Sequence, residues 1–136
     1  MFLGSFKTIF SGKNRLILPK RFRKALGNGD KFYIFLGENG EVWGFDPKNW
    51  SRLSESILKF PLSTEEGRVG RLKVFPRAEE CSLDGQGRFI LPQEFIENLD
   101  FKNEVLIIGA GDHFEVWDAH LWHEHYERIS RKRSSY

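Results

Sequence analysis

The chain has 136 residues, which is enough for one domain or for two very small halves that share a core. Its 15% aromatic share argues against disorder. No apolar run approaches the roughly 20 residues of a membrane helix, and no secretory signal is apparent. Cys81 is the single cysteine, which excludes an intramolecular disulfide, so we expect a cytoplasmic protein.

The first predicted elements are a strand, a turn, a second strand and a short helix. A strand at about 5–10 leads into a turn at 11–14, whose Gly and Asn tolerate left-handed backbone conformations. A short strand at 15–18 follows. Pro19 then opens a short helix with one apolar face, and the Gly-Asn-Gly sequence at 27–29 ends it.

A hairpin and two longer helices are predicted next. The two strands of the hairpin lie at about 31–36 and 41–45, around a Gly-containing turn. Asp46 is suited to cap the helix that follows. Residues 63–75 predict a connecting helix, with Thr64 as its cap.

The second half of the chain is predicted to repeat these elements. Asp118 is expected to cap its last helix, and the polar, basic tail after this helix is expected to fray. The predicted turn, short helix, two hairpin strands and tail lie at 83–88, 92–99, 104–108, 113–117 and 128–136.

An internal repeat relates the two halves. Residues 15–19 (RLILP) align with residues 88–92 (RFILP) at an offset of 73. After the hairpin the offset becomes 72, so that the Phe-Asp pair at 45–46 aligns with the Trp-Asp pair at 117–118. Six elements recur in the same order, which indicates a duplicated unit.

Charge is distributed unevenly along the chain. Residues 1–29 contain seven basic and no acidic side chains, whereas residues 79–100 contain six acidic side chains and one basic one. A basic face of this kind suits a polyanion, because Lys and Arg neutralise phosphates and Arg also reads guanine edges. The alternative is a solvated surface with uneven charge. The candidate DNA contacts are Lys7, Lys13, Arg15, Lys20, Arg21, Arg23, Lys24 and Arg88.

These motifs resemble a known family. The turn, strand and helix resemble the Asp-x-x-x-Arg, apolar run and Pro pattern of the SpoVT/AbrB-type swapped-hairpin barrels. The tandem duplication, the Met-Phe-x-Gly start, the Pro-Lys-Arg-Phe-Arg segment at 19–23 and the Trp-Asp-x-x-x-Trp ending are similar to the MraZ family. The resemblance extends to about residue 127.

The resemblance implies an α+β, mainly β fold, in which two tandem AbrB-like units form a swapped-hairpin β-barrel with short flanking helices. The first unit is 1–62, a helical segment at 63–78 connects it to the second unit at 79–127, and 128–136 is a basic tail. It also implies a nucleoid-associated regulator of a division and cell-wall gene cluster. This regulator binds repeated promoter boxes in double-stranded DNA as a ring-shaped homo-oligomer, with no cofactor and no small-molecule substrate.

The two turns do not match the family pattern equally. Asp84 and Arg88 give the complete motif in the second half, whereas Ser11 replaces the expected Asp before Arg15. A carboxylate there accepts backbone N–H groups and orients the arginine, whereas a serine accepts more weakly and supplies no charge.

The resemblance assigns DNA contact to Arg15, Arg23 and Lys24. The second half has Ile96 and Glu97 in place of the basic pair, so the two halves are not expected to contribute equally. The alternative for each turn arginine is a structural role, in which it stabilises its own turn.

Other residue clusters are weaker signals. The histidines at 113, 120, 123 and 125 lack a convincing fourth ligand, so no metal site is predicted. The tryptophans at 43, 50, 117 and 122 are expected in the core or at an oligomer interface. No catalytic motif is visible, and Cys81 is not expected to be reactive. Two alternative functions are a protein-binding, antitoxin-like scaffold and an RNA-binding module.

Overall fold

The computed structural model describes residues 1–27, 29–102 and 104–134. Asn28 in the predicted helix end and the last two residues of the predicted tail lie outside the described residues. The strands are β1 Ser5–Ile9, β2 Arg15–Ile17, β3 Lys31–Leu36, β4 Val42–Phe45, β5 Ala78–Ser82, β6 Arg88–Ile90, β7 Glu104–Gly109 and β8 Phe114–Asp118. The helices are α1 Lys20–Ala25, α2 Pro47–Leu58, α3 Glu65–Val74, α4 Gln93–Leu99 and α5 Ala119–Ser134.

The three predicted helix caps are present. The side-chain oxygens of Asp46, Thr64 and Asp118 each accept the backbone N–H three residues later, at 3.4, 3.0 and 3.2 Å. Such caps stabilise a helix by about 1 kcal/mol each. The polar residues from 128 onward continue α5 as far as Ser134, where a fraying tail was expected. Glu127 and Arg131, one turn apart and 3.5 Å from each other, support this extension.

The strands form a six-stranded antiparallel sheet in the order β1-β7-β8-β4-β3-β5, and β2 pairs with β6 in a separate two-stranded ribbon. The two outer strands are exchanged between the halves, since β1 of the first half pairs with β7 of the second and β5 pairs with β3. If each strand is replaced by its equivalent in the other half, the same strand order results, read from the opposite edge of the sheet.

The strand registers follow the sequence repeat. Ser5 lies opposite Ile108 across β1 and β7, and Ala78 lies opposite Phe35 across β5 and β3. These two pairings are related by the offset of 73. The offset was read from sequence similarity alone, and the backbone pairing obeys it.

The sheet is open in the part of the chain that the structure describes. Strands β1 and β5 are its edges, each with one neighbour, so the strand pairing does not form the closed barrel that was expected. The coarser expectation is confirmed: the fold is α+β, with a large antiparallel sheet and short helices.

A hydrophobic core shared by the two halves joins them. Phe114 is fully buried at its centre, and its ring centroid lies 5.4, 6.0 and 5.8 Å from those of Phe2, Phe22 and Phe32. Three of these rings come from the first half and one from the second. Shared burial is expected because a unit of about 70 residues buries too little apolar surface alone. No helix within the described ranges has both the length and the apolar character needed to cross a bilayer.

Candidate nucleic-acid interface

The β2–β6 ribbon carries two arginines on its outer face. Arg15 lies opposite Ile90 and Arg88 lies opposite Ile17, so these four side chains share one face. The middle residue of each strand points the other way and is buried in the core. Because the strands are antiparallel, the turns that precede them lie at opposite ends of the ribbon.

The second turn is fixed by one carboxylate. Asp84 Oδ1 accepts the backbone N–H groups of Gln86 and Arg88, each at 2.9 Å, and Asp84 Oδ2 accepts from Arg88 Nε at 3.1 Å. These donors, with the Arg88 backbone N–H as the largest cause, hold the pKa of the Asp84 carboxyl below its usual range. The expected role of the motif aspartate is therefore confirmed, and Arg88 is oriented by its own turn.

The first turn is closed by the same backbone hydrogen bond but lacks the carboxylate. Ser11 N–H donates to the Arg15 carbonyl at 2.9 Å, and Asp84 N–H donates to the Arg88 carbonyl at 2.8 Å. The alignment of the two turns is thus correct. Within the described residues the Arg15 guanidinium makes no hydrogen bond or ion pair, so its donors remain available to a ligand.

The surroundings of Arg15 are less basic in space than in sequence. Arg15 and Arg88 line a cleft of about 300 Å³ together with Glu79, Glu80 and Asp84. The acidic pair belongs to β5, which lies far along the chain from the acid-free N-terminal segment. Because these residues are far apart in the sequence, their shared cleft could not be predicted from it. The carboxylates lower the positive potential on that side of Arg15.

Helix α1 presents most of the remaining cations. Lys20, Arg21 and Lys24 are exposed. Arg23 is partly buried, and its Nε donates to the Leu18 carbonyl at 2.9 Å. Helix α1 therefore offers three exposed cations to a ligand and uses its fourth within the chain.

The two other candidates of the first half lie apart from α1. Lys13 is exposed in the first turn, whereas Lys7 on β1 forms an ion pair with Glu104, 3.0 Å from Nζ to Oε1. Both partners of that pair are at least half exposed, so the pair contributes at most about 1 kcal/mol and leaves Lys7 free to exchange partners.

The substitution Ser11→Asp completes the first turn. We expect a gain in folding stability of no more than about 1 kcal/mol, because the new carboxylate meets Arg15 in an exposed site. Non-specific DNA affinity should fall, because the carboxylate adds negative charge beside the ligand surface. Thermal unfolding and titration with random duplex DNA measure both effects. Loss of stability would show that Ser11 has a structural role different from that of Asp84.

A histidine separate from the basic surface lies in a charged cage. His113 Nδ1 is 2.7 Å from Asp112 Oδ1, and His113 Nε2 is 2.7 Å from Glu115 Oε2. Its ring stacks on Trp43 and Phe45, with centroid distances of 4.7 and 5.1 Å. Burial alone would lower the pKa of His113, but the two carboxylates outweigh burial and raise it.

This cage predicts a pH optimum for stability. The raised pKa of His113 gives a contribution that is complete below its ordinary value of 6.5 and is lost as pH rises through the folded-state pKa. Burial would raise the pKa of Glu115, but hydrogen bonds from His113 and Trp117 lower it, so its contribution is complete above 4.5 and is lost in acid. The cage therefore stabilises the fold most between these two values.

The variant His113→Gln tests the cage by urea unfolding at pH 5.5 and 8.5. We expect a loss of about 1.5–3 kcal/mol at the lower pH, as for hydrogen bonds to charged groups, and a smaller loss at the higher pH. Equal losses at both values would rule out protonation of His113 as the cause.

No metal-binding group of three His, Cys, Asp or Glu side chains occurs in the described part of the chain. His120 instead lies 3.2 Å from Glu124 on the surface of α5. Cys81 is buried, and burial, followed by the charges of Glu79 and Glu80, raises the pKa of its thiol to about 12. The thiol is therefore protonated at neutral pH.

Two features of this surface were not predicted. One is the acidic pair on β5 beside Arg15, and the other is the contact of Arg23 with the second turn. Both join segments more than 50 residues apart, and no local pattern signals them.

The chain is similar to proteins of one class, the transcriptional regulators. Relatives named "Transcriptional regulator MraZ" come from Caldicellulosiruptor bescii, 35% identical over 122 residues (90% of this chain, 84% of the relative), and Clostridium acetobutylicum, 35% over 127 residues (93% and 88%). A third, from Carboxydothermus hydrogenoformans, is 32% identical over 139 residues (97% and 96%). A family model described as "MraZ protein, putative antitoxin-like" matches residues 1–71 and 74–135. The chain belongs to the MraZ family.

Proposed function

We propose that the chain is a transcriptional regulator that binds double-stranded DNA sequence-specifically through the outer face of the β2–β6 ribbon and helix α1. The carrying observation is the Arg15 guanidinium, which is exposed on the ribbon and makes no hydrogen bond or ion pair among the described residues. The major groove of B-DNA admits a two-stranded ribbon, and a free guanidinium reads the O6 and N7 atoms of guanine.

The cations divide into two groups under this proposal. Arg15 reads bases, and Arg88 contributes less because Asp84 already occupies its Nε. The exposed lysines and Arg21 contact phosphates and set the salt dependence of binding. The phosphate contacts are Lys7, Lys13, Lys20, Arg21 and Lys24.

The tandem swapped-hairpin architecture is also part of the proposal. Its support is the exchange of β1 and β5 between the halves and the agreement of their registers with the repeat. In this arrangement neither half folds without the other, because each would lack an edge strand.

The regulator is further proposed to act as a homo-oligomeric ring that binds repeated boxes in its own promoter. Under this proposal it is nucleoid-associated and controls a division and cell-wall gene cluster. Its support in this chain is apolar surface on α2, α3 and the segment between them, where five side chains are 42–65% exposed. Surface of this kind commonly marks an interface. The five residues are Leu58, Phe60, Leu62, Val69 and Leu72.

The oligomer is tested by sedimentation at micromolar concentration. We expect a mass several times that of the 15.9 kDa chain, because the apolar side chains are covered by a second copy. Leu62→Glu should reduce this mass without unfolding the chain. The matched control Lys59→Glu changes charge in the same segment but removes no apolar surface. A wild-type monomer would contradict the ring.

The DNA proposal is tested by titrating the protein with duplex DNA from upstream of its own coding region and with a scrambled duplex, across a salt series. We expect at least about a thousandfold preference for the upstream duplex and a log–log salt slope of about −0.9 per phosphate contact. Equal affinity for the two duplexes would overturn sequence-specific binding. Preference for an RNA duplex of the same sequence would instead support the RNA-binding alternative.

A further inference from the structure

The side chain of Arg23 spans from α1 to the turn of the other half. Its Nε donates to the Leu18 carbonyl at 2.9 Å, and the Leu18 N–H donates to the Gly87 carbonyl at 2.9 Å. The guanidinium also lies directly over Gly87, where a Cβ built on the glycine would be 2.6 Å from Arg23 Nε and closer still to Cζ. We call the place where Leu18, just after β2, hydrogen-bonds Gly87, just before β6, a crossing. The Arg23 side chain contacts both segments at this crossing.

The equivalent crossing in the other half has the same backbone and different side chains. Leu91 N–H donates to the Asn14 carbonyl at 2.8 Å, which repeats the Leu18–Gly87 bond at the offset of 73. Ile96 occupies the place of Arg23, and Asn14 occupies the place of Gly87. Asn14 donates from Nδ2 to Gln93 Oε1 at 2.8 Å, so this crossing is joined by an amide pair instead of a guanidinium.

The glycine at 87 follows from the position of Arg23. Its φ of 78° is left-handed, but the equivalent Asn14 has a φ of 62°, so the backbone alone does not demand glycine. A side chain at 87 would instead have to displace the guanidinium above it. Arg23 and Gly87 therefore form a matched pair, whereas at the other crossing Asn14 pairs with Gln93.

We propose that Arg23 is a positioning residue: it clamps the second turn against α1 and so fixes the direction of Arg88, and it does not serve as a phosphate contact. The clamp is defined by Arg23, Leu18 and Gly87. Gly87 directly precedes Arg88, and Gly87 N–H donates to the Asp84 carbonyl at 3.0 Å. Fixing Gly87 therefore limits the motion of the turn that carries Arg88. The DNA consequence rests on the proposed function, whereas the clamp itself does not.

The DNA-binding test compares Arg23→Ile with the adjacent exposed control Lys24→Gln, using the upstream and scrambled duplexes across a salt series. A phosphate contact at position 24 predicts that the control loses about 0.9 from the salt slope for both duplexes. A positioning role predicts that Arg23→Ile leaves the slope unchanged and lowers affinity for the upstream duplex, by no more than Arg88→Ala does, because it acts through Arg88. A slope loss in Arg23→Ile equal to that of the control would overturn the proposal.

Gly87→Asn provides an independent route to the same defect. Asparagine accepts the left-handed backbone, as Asn14 does, but its side chain displaces the guanidinium from Leu18. It should therefore lower affinity about as much as Arg23→Ile does. The double variant Arg23→Ile with Gly87→Asn removes the same contact twice, so its loss of affinity should equal that of either single variant instead of the sum of the two. Additive losses would overturn the clamp.

Hydrogen exchange without DNA separates the clamp from the proposed function. The Leu18 and Arg88 amides, which donate to Gly87 and Asp84, should exchange at least about tenfold faster in Arg23→Ile, while core amides of β7 remain protected. Protected β7 amides also show that the variant is folded. Unchanged exchange rates at the Leu18 and Arg88 amides of Arg23→Ile would overturn the clamp, whatever the DNA affinity of the variant. Failure of the wild type to bind DNA would overturn the proposed function and leave this measurement valid.

Discussion

Replacing Arg15 by alanine should lower affinity for the upstream duplex by about 1–3 kcal/mol per contacting copy, and by more when several copies of a ring bind together. The Arg15→Ala variant is expected to lose the most affinity, because the Arg15 guanidinium is exposed on the ribbon and has no partner among the described residues. The measurement is a matched titration of wild type and variant at one salt concentration, with thermal unfolding to show that the variant is folded. A folded Arg15→Ala variant with normal affinity would refute the assignment.

Arg88→Ala is the matched control for this prediction. It removes the corresponding side chain from the same ribbon face, but Asp84 already binds Arg88 Nε at 3.1 Å, so fewer donors are lost to DNA. We expect a clearly smaller loss of affinity than in Arg15→Ala. Equal losses would indicate that both turns read bases and that the ion pair in the second turn opens on binding.

Phe114→Ala should destabilise the fold by about 3–5 kcal/mol, as large-to-small substitutions of buried aromatic residues do. The ring belongs to the second half, is 0% exposed and packs against rings of the first half, so its removal leaves a cavity at the junction of the halves. Urea unfolding measures the loss. Phe114→Leu fills most of the cavity and should retain the larger part of the stability. Similar losses in both variants would show that the core relaxes around the site.

The order of the elements was predictable because each carries a local signal. Asp46, Thr64 and Asp118 precede the helices that they cap, and the repeat of RLILP as RFILP marks equivalent positions in the two halves. The expected closed barrel was not found, because barrel closure depends on strand pairing at the two sheet edges and no local pattern specifies it.

The candidate site was only partly predictable. Ser11 at the motif position correctly indicated a turn without a carboxylate, and both turns are closed by the same backbone hydrogen bond. The partner of Arg23 could not be predicted, since it lies on a turn 64 residues away, at Gly87. His113 was grouped with the histidines near it in sequence, but its partners are the carboxylates on either side of it in β8 and the preceding turn.

The exchange of edge strands has a genetic consequence. Two identical chains that built the same sheet would carry every substitution twice, so neither turn could change alone. A single chain encodes the two turns separately, and a substitution at position 11 leaves position 84 untouched. One turn thus has a carboxylate that holds its arginine, while the other has a serine and leaves its arginine free. A symmetric backbone can in this way support two different tasks.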